Sequence, residues 1–246
     1  MARIVNYGPD AVTHLPVSGG GSALAVGALL KRGATPASMN GHLRLAGGTG
    51  GHPDIIGILR EAHAVGTDTD VAGTVFTTHP VQMLQPFRVV RIEYSLATAD
   101  TVVATQAVST TALTLTNLED DIDAAFLYVA AGLGIGQTNY LTASAAGSAT
   151  LKAAFGTSLD TTSRLVKILP RFHPLVALTS DGTKLTSTAA AGATTAMVYD
   201  NYIEKNNRIT PLNPVRHSAL TAQNGGRGVA FWADVVFRDT MPYTID

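Results

Sequence analysis

Apolar and polar positions alternate most clearly in two stretches of the chain. Ser109–Leu118 reads STTALTLTNL, with Leu113 and Leu115 on one face and Thr114 and Thr116 on the other. Within Gly228–Arg238, the run VAFWADVVF places Val229, Phe231, Ala233, Val235 and Phe237 on one face and Trp232 on the opposite one. A period of two is that of a half-buried β-strand. Between Ser22 and Leu84 the apolar runs are shorter. Ala23–Arg32, His42–Leu45, Asp54–Leu59 and Gly73–Leu84 are separated by Gly-, Pro-, Asn-Gly- and Thr-rich breaks. This predicts a compact set of strands joined by tight loops. Gly27 and Gly57 each sit inside one of these runs, where glycine marks a bulge or a close backbone approach.

Pro86-Phe87 marks a change of texture. Beyond it, Phe87–Leu96, Val102–Val108, Ala124–Ala131, Asn139–Thr142, Ala149–Phe155, Ser163–Leu169 and Phe172–Thr179 add further candidate strands. Ala196–Glu204 is ambiguous between strand and helix. Short helical pieces are expected near Leu118–Asp123, Ser148–Phe155 and Tyr199–Asn206. At the other end, residues 1–21 close on Ser18-Gly-Gly-Gly21, and ordering three successive glycines costs chain entropy. That predicts an arm with a flexible joint, whose apolar tip Ile4-Val5-Asn6-Tyr7 can add a strand to a partner. The domain expectation is an arm over 1–21, a first β module over 22–85 and a larger β-rich domain over 86–246.

Composition narrows the function. Charged residues are only 14% of the 246, and the formal net charge is −1. There is no basic footprint for nucleic acid. A surface so poor in charge is easily desolvated, which suits protein contact. No run of about 18 apolar residues predicts a membrane helix, and the residues after Arg3 lack the apolar core of a secretory signal. Cysteine is absent, so no thiol chemistry is expected.

Motifs for catalysis do not assemble. Glu119, Asp120, Asp121 and Asp123 lack the alternating ligand spacing of a calcium loop and read as a solvated turn. The Gly132, Gly134, Gly136 triplet lacks the following helix of a dinucleotide site. The seven histidines show no H-x-H or H-E-x-x-H spacing. Asp181, Asp200 and Glu204 are carboxylates a polysaccharide hydrolase would need in a pair, but no pattern pairs them. The expectation is a non-enzymatic protein with no metal or cofactor.

Leu24-Ala-Val-Gly-Ala-Leu-Leu30, Asn40-Gly-His-Leu43, Gly47–Gly51 and Ile55-Ile-Gly-Ile-Leu59 together resemble the small β-barrel head-decoration proteins of tailed bacteriophages. Gly27 and Gly57 match the glycines of that module. The resemblance covers the N-terminal third and implies a barrel-like fold there, trimers on the outer capsid surface, and an arm touching the major capsid protein. The fold expected is then mainly β, with a small barrel-like N-terminal module and a β-sandwich-like C-terminal domain. The function implied is a virion structural protein that cements the head by bridging capsid subunits. The alternatives are a tail- or fibre-associated virion protein and a surface-polysaccharide hydrolase.

Overall fold

The structure, a computed structural model, describes residues 3–4, 12–19, 22–32, 43–46, 55–64, 78–84, 89–118, 122–173, 178–186, 196–213 and 229–237. Its strands in chain order are β1 (Arg3–Ile4), β2 (Val12–Ser18), β3 (Leu29–Arg32), β4 (Leu43–Leu45), β5 (Ile55–Leu59), β6 (Thr78–Met83), β7 (Val89–Glu93), β8 (Asp100–Thr101) and β9 (Ala112–Thr114). They continue with β10 (Phe126–Ala131), β11 (Thr138–Ala145), β12 (Ser148–Leu151), β13 (Arg164–Ile168), β14 (Ala196–Lys205), β15 (Arg208–Pro211) and β16 (Val229–Phe237). The fold is mainly β, with a small N-terminal barrel and larger sheets after it.

Strands β2–β4–β3–β5–β6 close into a five-stranded barrel. Closure removes exposed edges, and it is sealed here by the antiparallel pairing of β2 with β6, from Val12↔Gln82 to Pro16↔Thr78. The barrel interior gathers Val17, Leu24, Ala28, Leu30, Leu43, Leu59 and Val81. Gly57 lies where β5 runs close to β6, opposite Met83. A Cβ at this position would lie 2.4 Å from Val81 Cγ1 and 3.2 Å from the Gln82 carbonyl oxygen, so a side chain there must displace the Val81 methyl.

The second part is two sheets. One is five-stranded, in the order β1-β7-β16-β14-β15. The other is six-stranded, β8-β13-β10-β11-β12-β9. This second sheet curls until its two edges meet: Val102 bridges Leu115, Val103 N–H donates to Thr114 O at 3.0 Å, and Thr116 N–H donates to Thr101 O at 3.1 Å. Paired residues of an antiparallel sheet share a face. Leu127 opposite Lys167 and Leu165 opposite Asp100 therefore point into the curl. Phe126 and Tyr128, on the alternate face, meet Phe231 of β16 with ring centroids 5.7 and 5.0 Å apart. That contact stacks the two sheets, as in a sandwich.

Several sequence expectations change. Residues 1–21 do not form a single arm: Val12–Ser18 is a barrel strand, and Arg3–Ile4 pairs with β7, Ile4 opposite Val90. Pro16 and the following glycines hide this strand because its partner, Thr78–Met83, lies far along the chain. Val5, Asn6 and Tyr7 lie outside the described residues, as do Asn40-Gly41, Gly47–Gly51 and Pro86-Phe87. Gly27 lies outside any strand, at φ +87° in a turn closed by Ala28 N–H donating to Ala25 O at 3.1 Å and tied to β5 by Gly27 N–H donating to Leu59 O at 2.8 Å. Ser148–Leu151, expected both as a candidate strand and as a helical piece, is a strand, and so is Ala196–Lys205, where the sequence is ambiguous between strand and helix. β14 and β15 join through Asn206-Asn207, both at positive φ (51° and 59°). Such a pair is the signature of a type I′ hairpin, and asparagine tolerates that geometry better than most residues.

Candidate interaction surface

The chain after β13 makes an abrupt turn over Leu169–His173. Phe172 is held at φ 64°, a left-handed conformation that costs about 1–3 kcal/mol outside glycine. Hydrogen bonds to β14 impose it: Phe172 N–H donates to Val198 O at 2.6 Å and Val198 N–H to His173 O at 3.2 Å. The result is an aromatic ring 60% exposed to solvent. Tyr199, on the outward face of β14, is 47% exposed. Arg171 lies between them, its guanidinium carbon 5.3 Å from the Phe172 centroid and 5.9 Å from that of Tyr199. Its Nε donates to Tyr199 O at 3.0 Å and stands 3.8 Å from Asp200 Oδ1.

Beside this triplet opens a cleft of about 410 Å3 between the two stacked sheets. Phe126, Ile168, Leu169 and Leu212 form its apolar floor, and Asp123, Arg171 and Asp200 its polar rim. Ala124, which lines the cleft, is also left-handed, at φ 67°. Asp123 is fixed by Ser144, whose Oγ donates to Asp123 Oδ1 at 2.8 Å and accepts from Ile122 N–H at 3.0 Å. Behind the floor lies a buried polar chain. Leu169 N–H donates to the Tyr94 hydroxyl at 3.2 Å, Tyr94 donates to Asn201 Oδ1 at 3.4 Å, and Asn201 Nδ2 donates to Leu169 O at 2.7 Å. Burial pushes the Tyr94 phenol well above its ordinary range, partly offset by the hydrogen bond from Leu169. The floor is thus backed by a buried hydrogen-bonded chain in which Tyr94 keeps its proton.

Arg91 binds both carboxylate oxygens of Asp234, Nε donating to Oδ1 at 2.7 Å and Nη2 to Oδ2 at 2.8 Å, and its guanidinium lies 3.9 Å over the Tyr202 ring. The hydrogen bond to Asp234 raises the Arg91 pKa above its ordinary value, against the lowering effect of burial.

The carboxylates considered from the sequence are not brought together as a pair. Asp200 rims the cleft. Glu204 accepts the Trp232 indole N–H at 2.8 Å. Asp181 organises its own turn by accepting from Thr179 and Thr183. Burial pushes Asp181 up, but these hydrogen bonds outweigh it and leave its carboxyl below the usual range. Asp123 belongs to the cleft, whereas Glu119, Asp120 and Asp121 lie outside the described residues. The glycine triplet is a tight loop at φ +78°, +80° and +86°, and a Cβ at Gly132 would lie 2.0 Å from Thr162 O. Two histidines meet unexpectedly: His63 Nδ1 and His79 Nε2 are 3.0 Å apart, both buried in the N-terminal module. Among the described residues no group of three metal-binding side chains forms.

The Phe172–Arg171–Tyr199 surface was not foreseen. Its one sequence signal is Pro170-Arg-Phe-His-Pro174, where two prolines bracket an arginine and an aromatic. Comparison with protein-family models gave no match, and neither did comparison with curated proteins or with solved structures.

Proposed function

We propose that the chain is a virion structural protein, a decoration or cement protein that binds the outer surface of a capsid and stabilises the head by bridging subunits of the major capsid protein. The observation that carries this reading is the closed five-stranded barrel, built from the stretch whose residues resemble phage head-decoration modules. The surface described above supports it. An arginine between two exposed aromatics on a hydrogen-bonded turn has the composition of a protein-contact hot spot. Its backbone is already fixed, so binding loses little further entropy. Association as a homo-oligomer, with trimers as the first expectation, belongs to the same proposal.

The test is reconstitution. Purified protein is mixed with shells of the major capsid protein and the particles are separated by sedimentation, then imaged. Saturable binding, ordered density on the outer surface and a raised shell disruption temperature are expected. Failure to bind these shells, with density found instead on the tail or fibre of complete particles, would transfer the protein to the alternative virion role, and cleavage of surface polysaccharide by the isolated chain would replace a structural role with an enzymatic one.

A further inference from the structure

A lysine and an aspartate face each other inside the curled six-stranded sheet. Lys167 is 0% exposed and Asp100 3%. Lys167 lies opposite Leu127 and Asp100 opposite Leu165, so both project into the same apolar interior from the adjoining strands β13 and β8. Lys167 Nζ stands 2.5 Å from Asp100 Oδ2. It also donates to the carbonyl oxygen of Asn117, and the Asn117 side-chain Nδ2 donates to Asp100 Oδ1 at 3.2 Å. One residue therefore offers a hydrogen-bond acceptor to the amine and a donor to the carboxyl. That is the pattern of partners a secondary amide needs for its N–H and its C=O.

We propose that Lys167 and Asp100 are an intramolecular cross-linking site, joined by an amide bond between Nζ and Cγ. Two ions taken out of water bear a desolvation cost that their attraction offsets only in part; an amide holds the same strands together without charge. The step balances within the pair. An ammonium proton passes to Oδ2, leaving a neutral amine and a carboxylic acid. The Nζ lone pair attacks Cγ, and the charge that develops on Oδ1 is stabilised by the Asn117 Nδ2–H. A second nitrogen proton follows to Oδ2, the Cγ–Oδ2 bond breaks with its electron pair on oxygen, and one water leaves. The remaining Nζ–H keeps the Asn117 carbonyl as its partner. No oxidant, metal or co-reactant is consumed. Because Oδ2 is bonded to Cγ, the amine stands near the attack separation of about 3–3.5 Å. Asn117 lies at the exposed rim of the curl, which gives the released water a way out.

The experiment is the intact mass of the full-length folded protein, measured after denaturation, with sequencing of the joined peptides from a digest. The expected result is a chain lighter than its sequence by one water, with a branched peptide linking the segments that contain Lys167 and Asp100. Asp100→Ala and Lys167→Arg should each show the full sequence mass, a readout that holds even where a variant folds poorly. A wild-type chain at its full sequence mass after prolonged incubation in the folded state overturns the proposal. So does a lost water that persists in Asp100→Ala, or one traced to a linear peptide carrying a succinimide.

Discussion

Phe172 shows how much a single residue can reveal. Its ring faces solvent and its backbone is left-handed, so it is costly to folding twice over, and its value has to lie in contact with something else. Replacing it with Asn, which tolerates positive φ, should leave stability unchanged or raise it by up to about 1 kcal/mol. Capsid binding should weaken, because the exposed aromatic is lost. Melting and co-sedimentation of Phe172→Asn check both halves, and a fall in stability would mean that the ring is part of the core after all. Gly57 is the opposite case. Gly57→Val must displace Val81, whose Cγ1 would be 2.4 Å from the new Cβ. Overpacking of this kind costs roughly 1–3 kcal/mol, read as a lower denaturant midpoint at unchanged slope.

Tyr94 adds a pH dependence. Its phenol is raised by burial, so the folded state holds this proton at pH values where the unfolded chain, at about pKa 10, has released it. The stabilisation is complete below about pH 10 and declines as pH rises beyond that. Tyr128 and Tyr202 are shifted the same way, each chiefly by burial. Stability plotted against pH should therefore fall above about pH 10, and more shallowly in Tyr94→Phe. That variant should also lose about 1–3 kcal/mol at neutral pH, because Asn201 and Leu169 keep buried groups that it can no longer satisfy.

Among the elements, those with two-residue periodicity were legible and those without it were not. Val229–Phe237 alternates and forms β16, with Phe231, Ala233 and Val235 buried. Leu113 and Leu115 are buried as their spacing predicts, although only Ala112–Thr114 is a regular strand there. Ala196–Lys205 gave an ambiguous signal because it is held by pairing with β16 from Ala196↔Phe237 to Lys205↔Val229, a contact no local window contains. The Asn206-Asn207 hairpin was legible in principle, by turn chemistry. The candidate surface was not, since it needs β13, β14 and the segment before β10 to converge. The Arg91–Asp234 pair links β7 to β16 in the same long-range way. Asp234→Ala leaves a partly buried guanidinium without its carboxylate and should cost roughly 1–3 kcal/mol, with the loss seen in thermal unfolding.

At the scale of the whole molecule, the barrel and the sheets are not held together by a linker alone. Leu29, Ala46, Ile55, Ile58 and Leu84, all from the N-terminal part, belong to the same apolar cluster as Val90, Ile92 and Phe231. The contact is reinforced by backbone, for Leu29 N–H donates to Gly182 O at 3.1 Å. Gly182, at φ +64°, sits so close that a Cβ there would lie 2.7 Å from Leu45 Cδ1. A chain of two β modules suggests cutting near residue 86 to release a stable C-terminal fragment. The shared cluster argues otherwise: the fragment over 86–246 would expose an apolar face now covered by β3, β5 and the residues after β4 and β6. Each large aliphatic side chain uncovered forfeits about 1.5–3 kcal/mol, against a total stability for a domain of about 5–15 kcal/mol. The fragment produced alone should therefore aggregate or melt well below the intact chain, and the intact chain should unfold in one transition whether followed by Trp232 fluorescence or by far-ultraviolet dichroism. Two resolved transitions, with the fragment melting at the temperature of the second, would show that the interface contributes little and that the barrel is free to move when it meets a partner.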